Sequence, residues 1–175
     1  MKYLKLLEKK GTWWLYVGCT YWYPVLIKEY SDSFELIVVQ IKVDDKEILI
    51  MTGYGPQEHW KDNEKLPFFT ALEEEIASAE YQGQSVIIAM DASSKLGPKL
   101  IPGDPHTITK NGKILEGILE RQAICVVNGL KEKRQGLITR EKHTVNGSEK
   151  SIIDFVLTSR DLIEHIEYIH IDDRR

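Results

Sequence analysis

Two stretches of this chain are apolar on both faces of a strand, and each meets a single acid. Ser85-Val86-Ile87-Ile88-Ala89-Met90 leaves no side for water and runs into Asp91; strands of that kind belong in sheets covered on both faces. In Ile152-Ile153-Asp154-Phe155-Val156-Leu157 a period of two puts Asp154 on the face of Ile152 and Val156, with Ile153, Phe155 and Leu157 opposite. An ionised carboxylate there loses much of its hydration unless a metal, a cation or several donors compensate it. The alternative is an acid at the sheet's rim that caps a loop or pairs with an arginine. Asp91 alone has an equally ordinary reading, since strands often end in Asp to hold a turn. If the two strands are neighbours, however, the acids meet at one rim, where carboxylates repel unless a divalent ion or a shared proton lies beside them. That combination points to a magnesium-type oxygen site, or to acids that hold a water and an imidazole for phosphoester chemistry.

The rest of the chain supplies a frame for such a rim. Its 175 residues suit one domain, 1–175. Thr12 to Gly18 and Glu35 to Val43 are rich in β-branched and aromatic residues, and the turn at Asp44-Asp45-Lys46 returns the chain into a strand from Glu47 to Tyr54. From Asn63 to Ala79 the apolar residues Leu66, Phe69, Leu72, Ile76 and Ala79 recur at helical spacing, with Glu73, Glu74 and Glu75 expected on the solvated face. Gly83 ends that helix. Lys95 to Thr109 predicts a long loop, Gly112 to Gln122 a second helix, Ile124 to Asn128 a strand closed by an Asn-Gly turn, Ser151 to Thr158 a strand and Ile163 to Ile171 a last one. Helix and strand in alternation favour an α/β layered fold over an all-β one.

Charge and cysteine usage narrow the class. A net charge of -4 argues against generic coating of nucleic acid but leaves room for local basic patches. Lys95 and Lys99, Lys110 and Lys113, Lys131 to Arg134, and Arg140 to His143 are such patches, either solvated loop chemistry or grips for phosphates. Cys19 and Cys125 read as two buried thiols, and Asn146-Gly147 as a turn. No apolar run is long enough to span a membrane, and the start MKYLKLLEKK lacks the core of a signal peptide, so an intracellular location is expected. His59, His106, His143, His165 and His170 show no metal-ligand spacing; His106 and His143, in loops near basic residues, are the two worth testing, while His165 and His170 face opposite ways on the expected last strand. Glu58 either approaches the acidic rim or is solvated ahead of a helix.

Four segments in order carry a resemblance. Ile50-Met51-Thr52-Gly53-Tyr54-Gly55-Pro56-Gln57 is similar to a strand ending in Tyr-x-Pro, and Met90-Asp91-Ala92-Ser93-Ser94-Lys95-Leu96-Gly97 to a Gly-Asp-Phe-Asn-Ala-x-x-Gly segment. Gly136-Leu137-Ile138-Thr139-Arg140 and Ser151-Ile152-Ile153-Asp154-Phe155-Val156-Leu157 are similar to a Thr-Trp or Thr-Arg segment followed by an Ile-Asp-Tyr strand. In these the chain resembles the endonuclease/exonuclease/phosphatase superfamily, above all the endonuclease domains of LINE-type retrotransposons. The resemblance implies a four-layer αββα sandwich of the deoxyribonuclease-like type and metal-assisted, in-line attack of water on a phosphodiester, with Mg²⁺ or Mn²⁺. By position it implies that Asp91 orients or deprotonates the water, Tyr54 bonds the phosphate, Asp154 stands where the family has an Asp behind its catalytic His, and Ser93 replaces the motif's Asn. It likewise makes Arg140, with Thr139 and Lys95, the expected contacts to nucleic acid.

The departures define a second set of expectations. The family's first strands, with an Asn and a metal-binding Glu, would precede this chain, and its Ser-Asp-His would follow Ile171-Asp172-Asp173-Arg174-Arg175. A sandwich lacking those strands is expected to be slow or inactive as an endonuclease, or to be a non-catalytic remnant that binds nucleic acid or protein. Its unpaired strand edges predict a homodimer.

Overall fold

The computed structural model describes residues 3–9, 12–18, 23–30, 35–43, 45–145 and 147–171. Strands β1 (Tyr3–Lys9), β2 (Thr12–Gly18), β3 (Tyr23–Tyr30), β4 (Glu35–Val43) and β5 (Lys46–Tyr54) come first, then helix α1 (Asp62–Tyr81) and β6 (Ser85–Asp91). Helix α2 (Lys110–Arg121) and β7 (Ile124–Val126) follow, then β8 (Arg134–Gln135), β9 (Arg140–Thr144), β10 (Gly147–Ser151), β11 (Asp154–Ser159) and β12 (Ile166–His170). They form a six-stranded sheet in the order β3-β4-β5-β6-β11-β7, a four-stranded sheet β2-β1-β12-β8, and the separate hairpin β9-β10.

Among the described strands of the large sheet, only β5 and β6 run parallel. A parallel pair needs a crossover, and α1 supplies it. Acidic Asp62 and Glu64 lie in its first turn, where the Glu64 carboxylate accepts from the Lys61 N–H at 2.8 Å, and it ends before Gly83, whose φ of +69° is open to glycine. Phe68, Phe69, Leu72, Ile76 and Ala79 are buried against the sheet. Leu66, expected on that face, is half exposed. Nor are all three glutamates solvated: Glu75 is buried and takes the Lys28 ammonium at 2.8 Å, and Glu73 pairs with Arg121 at 2.7 Å.

The double-sided apolarity of β6 now has a cause. Val86, Ile88 and Met90 face the core shared with both helices, while Ile87 and Ala89 face a second core, between the sheets, with Val156, Ile166 and Ile169. Each such buried aliphatic side chain contributes about 1.5–3 kcal/mol. Three layers result from the described residues: helices, six-stranded sheet and four-stranded sheet.

Several boundaries differ from expectation. The run from Ser151 is not one strand: Ser151 closes β10, buried Ile152 and Ile153 link it to the sheet, and Asp154 heads β11 rather than interrupting it. The segment expected as a strand from Ile163 begins as a 3₁₀ turn, Arg160–His165, so His165 is not on a strand at all. Likewise β7 stops at Val126 and the chain turns through a 3₁₀ segment at Val127–Gly129. Cys19 and Asn146 lie outside the described residues; Cys125 is partly buried and unbridged.

Candidate functional site

Register, rather than chain proximity, assembles the rim. Asp91, the last residue of β6, is the partner of Tyr54 at the end of β5 and of Asp154 at the head of β11. Register partners project to the same face, and for these three it is the face between the sheets, shared with Ile87, Ala89 and Val156. Opposed Cα atoms of an antiparallel pair lie about 4.5–5.5 Å apart, so the two carboxylates are neighbours. Gly55 makes the close approach possible. Its N–H donates to the Asp91 carbonyl at 2.6 Å, and a Cβ there would stand 2.5 Å from the Ala92 carbonyl oxygen.

Asp91 also holds the turn that follows it. Its Oδ1 accepts from the Ser93 N–H at 2.7 Å and from the Ser93 hydroxyl at 3.2 Å, which stabilises a left-handed Ser93 with φ of 46°. The amide of Gln57 donates to the Ser93 hydroxyl at 2.9 Å and to the Tyr54 hydroxyl at 2.7 Å. A continuous chain of bonds therefore runs Tyr54, Gln57, Ser93, Asp91. Tyr54 is 44% exposed, so its phenol is available to a ligand.

Asp154 is 7% exposed and gripped through its backbone from both sides. The Thr139 hydroxyl oxygen accepts from the N–H groups of Ile153 and Asp154 at 3.0 and 3.1 Å. Where β7 has ended, the fully buried Asn128 takes its place: its amide donates to the Asp154 carbonyl at 3.2 Å and its oxygen accepts from Val156 N–H at 2.7 Å. Arg134 in turn donates to the Asn128 carbonyl. Thr139, expected to touch nucleic acid, is thus buried with its hydroxyl committed to the backbone, because β11 needs an acceptor there.

Beside the rim opens a polar cavity of about 270 Å³, walled by Gln57, Ser93, Lys95, Arg140, Lys142 and Glu149 among others. Lys95 and Arg140, the expected contacts to nucleic acid, both line it. The hairpin explains the grouping: Arg140 pairs with Ser151 and Lys142 with Glu149, and these four side chains share one face, turned to the cavity. Lys95 reaches across to Glu149 at 3.3 Å. That bond, then the charge of Lys95 with smaller contributions from His106 and Lys142, holds the Glu149 carboxyl below the usual carboxylate range against a small opposing effect of desolvation.

Other candidates fall elsewhere. His59, not His106 or His143, lines the cavity. His106 instead bonds the buried Asp104 at 3.2 Å. Glu58 lines the cavity too, but its carboxylate caps the start of α2 by accepting from Asn111 N–H at 3.0 Å. Among the described residues no three His, Cys, Asp or Glu converge as a metal cage. The rim therefore offers an oxygen-ligand ion the two acids Asp91 and Asp154 and no third ligating side chain among the described residues.

No protein-family model matches the sequence, and no curated protein does either. Solved structures do. The endonuclease domain of TRAS1, a telomere-specific non-LTR retrotransposon, superposes with a TM-score of 0.56 at 16% identity over 93% of this chain. An endonuclease/exonuclease/phosphatase family protein of Bacteroides thetaiotaomicron gives 0.55 at 12% over 79%, and a mannosyl-6-phosphatase of the same bacterium 0.56 at 12% over 83%. The chain spans 68% of the first of these proteins and 52% and 55% of the other two. What it shares with them is the mixed α/β, deoxyribonuclease-like fold of the endonuclease/exonuclease/phosphatase superfamily.

Proposed function

Because the chain shares its fold with nucleases and phosphatases, we propose that its rim grips a phosphodiester, and that the chain derives from a retroelement endonuclease acting on DNA inside the cell. One observation carries this reading: Tyr54, Asp91 and Asp154 are register partners across three adjacent strands. The likeness to the TRAS1 domain supports the retroelement origin. In this reading the Tyr54 phenol donates to a phosphoryl oxygen, where charge develops. Asp91 accepts a proton from the attacking water or orients it. Asp154 sets the charge behind it, and Ser93 holds the Asp91 carboxylate in place. Mg²⁺ or Mn²⁺, held by Asp91 and Asp154, would supply positive charge to the phosphoryl oxygens. Lys95 and Arg140 bind the neighbouring phosphates.

Catalysis by this segment is proposed to be impaired, since its acids stand without a third ligating side chain among the described residues. That same observation favours a second reading, a non-catalytic domain that binds nucleic acid or protein through the rim. Nicking of supercoiled plasmid with Mg²⁺ or Mn²⁺, compared with Asp91→Ala and Asp154→Ala, tests the first. Cleavage that survives both substitutions removes the enzyme reading. Titration with short DNA at low and high salt tests the second, and an affinity indifferent to salt removes it. A homodimer is also proposed, because among the described residues β3 and β7 each pair with a neighbour on one side only; a monomeric mass in light scattering at micromolar concentration would rule it out.

A further inference from the structure

The cavity beside the rim carries two charged groups, Lys142 and Glu149, to which the proposed rim chemistry gives no part. Three fixed cations line it, Lys95, Arg140 and Lys142, against two acids, Glu58 and Glu149. Glu58 is occupied at the start of α2. Glu149 lies directly opposite Lys142 across the hairpin and bonds Lys95 from the facing loop. Lys150 and Glu141 pair on the hairpin's other face, so the inward grouping is not simply the hairpin's general charge. Ser94, which also lines the cavity, is 1% exposed, and its buried hydroxyl meets no hydrogen-bond partner among the described residues. A buried hydroxyl without a partner is costly unless a ligand or a water meets it.

We infer that this cavity is an anion subsite, that Glu149 occupies its cations in the free protein, and that a phosphate group of the ligand displaces the Glu149 carboxylate. The inference rests on the phosphodiester reading for the choice of phosphate over other anions. A phosphate carries more charge than a carboxylate and offers more acceptor oxygens, so it meets Lys95, Arg140 and Lys142 together better than one carboxylate does. Glu149 has a side chain 55% exposed and can swing into water when displaced. The carboxylate therefore selects: ligands with a second phosphate at the right spacing enter, and singly charged ones compete poorly.

Calorimetric titration of the whole chain with inorganic phosphate, and with a thymidine dinucleotide with and without a 5′-phosphate, tests this. Glu149→Gln should tighten phosphate and the 5′-phosphorylated dinucleotide by at least about threefold. Glu120→Gln removes the same charge from the exposed face of α2, outside the cavity, and should leave both affinities unchanged. Lys142→Ala should reverse the gain of Glu149→Gln. Equal effects of Glu149→Gln and Glu120→Gln, no effect of either, or no phosphate binding by any variant would overturn the inference. Tyr54→Phe separates it from the reading beneath: if it leaves dinucleotide affinity unchanged while Glu149→Gln still tightens phosphate, the phosphodiester rim fails and the subsite stands. If Tyr54→Phe weakens the dinucleotide and Glu149→Gln changes nothing, the subsite alone fails.

Discussion

Replacing Asn128 by alanine removes the group that stands in for a missing strand. Its two amide bonds, to Val156 N–H at 2.7 Å and the Asp154 carbonyl at 3.2 Å, satisfy backbone at positions where β7 no longer reaches. Val156 is 0% and Asp154 7% exposed, so bulk water does not replace the amide. An orphaned buried N–H costs about 1–3 kcal/mol, and an under-satisfied carbonyl less, since it tolerates a lost partner better. The sum is about 3 kcal/mol, before any cavity left by the side chain. Urea unfolding should show that loss as a lower midpoint with an unchanged slope. Thr139→Val, close in shape, orphans the N–H groups of Ile153 and Asp154 on the other flank and should cost a similar amount. Both substitutions loosen Asp154, which each of the two side chains holds, so the double variant should lose less than the two single losses combined. A loss under about 1 kcal/mol for Asn128→Ala, or strict additivity with Thr139→Val, would refute the reasoning, since a water would then be holding the head of β11.

Two further outcomes are expected. Gly55→Ala places a methyl against the Ala92 carbonyl and must part the ends of β5 and β6; a loss of about 1–3 kcal/mol in urea unfolding is expected, and crystals of a variant with Tyr54 and Asp91 still in register would contradict it. Burial raises the Asp161 carboxyl, but bonds from the Ser85 and Ser159 hydroxyls and its own N–H together outweigh it, so it titrates below the ordinary carboxylate range. Its contribution to stability is thus present above the unfolded value of about 3.9 and lost as pH falls through the lower folded value. The stability gap between the native chain and Asp161→Asn should therefore narrow in acid, and a gap constant from neutral pH to strong acid would refute this.

Segments whose hydrophobic period admits one answer were legible. The β4-β5 hairpin, α1 and β6 came out within a residue or two, and the acids on apolar strands led to positions 91 and 154, which the strand register sets opposite each other. The polar hairpin β9-β10 was not legible: Arg140-Glu141-Lys142-His143-Thr144 and Gly147-Ser148-Glu149-Lys150-Ser151 hold no apolar alternation, and only cross-strand pairing makes them strands. Ile152 and Ile153 misled for the opposite reason, since burial in a link and burial in a strand leave the same apolar run. Gln57 and Asn128 were invisible as site residues because a lone amide has no pattern; their roles exist only once distant strands are in register.

The bonds from Tyr54 to Asp91 also have a direction. Ser93 has one hydroxyl hydrogen, and it points at the Asp91 carboxylate, so whatever meets its oxygen must bring a proton of its own. That requirement orients the Gln57 amide, whose NH₂ then faces Tyr54 as well. With its oxygen already receiving a hydrogen, the phenol keeps its own proton turned outward. At Tyr54 the lip of the sandwich is polarised, by the amide of Gln57, to greet an acceptor.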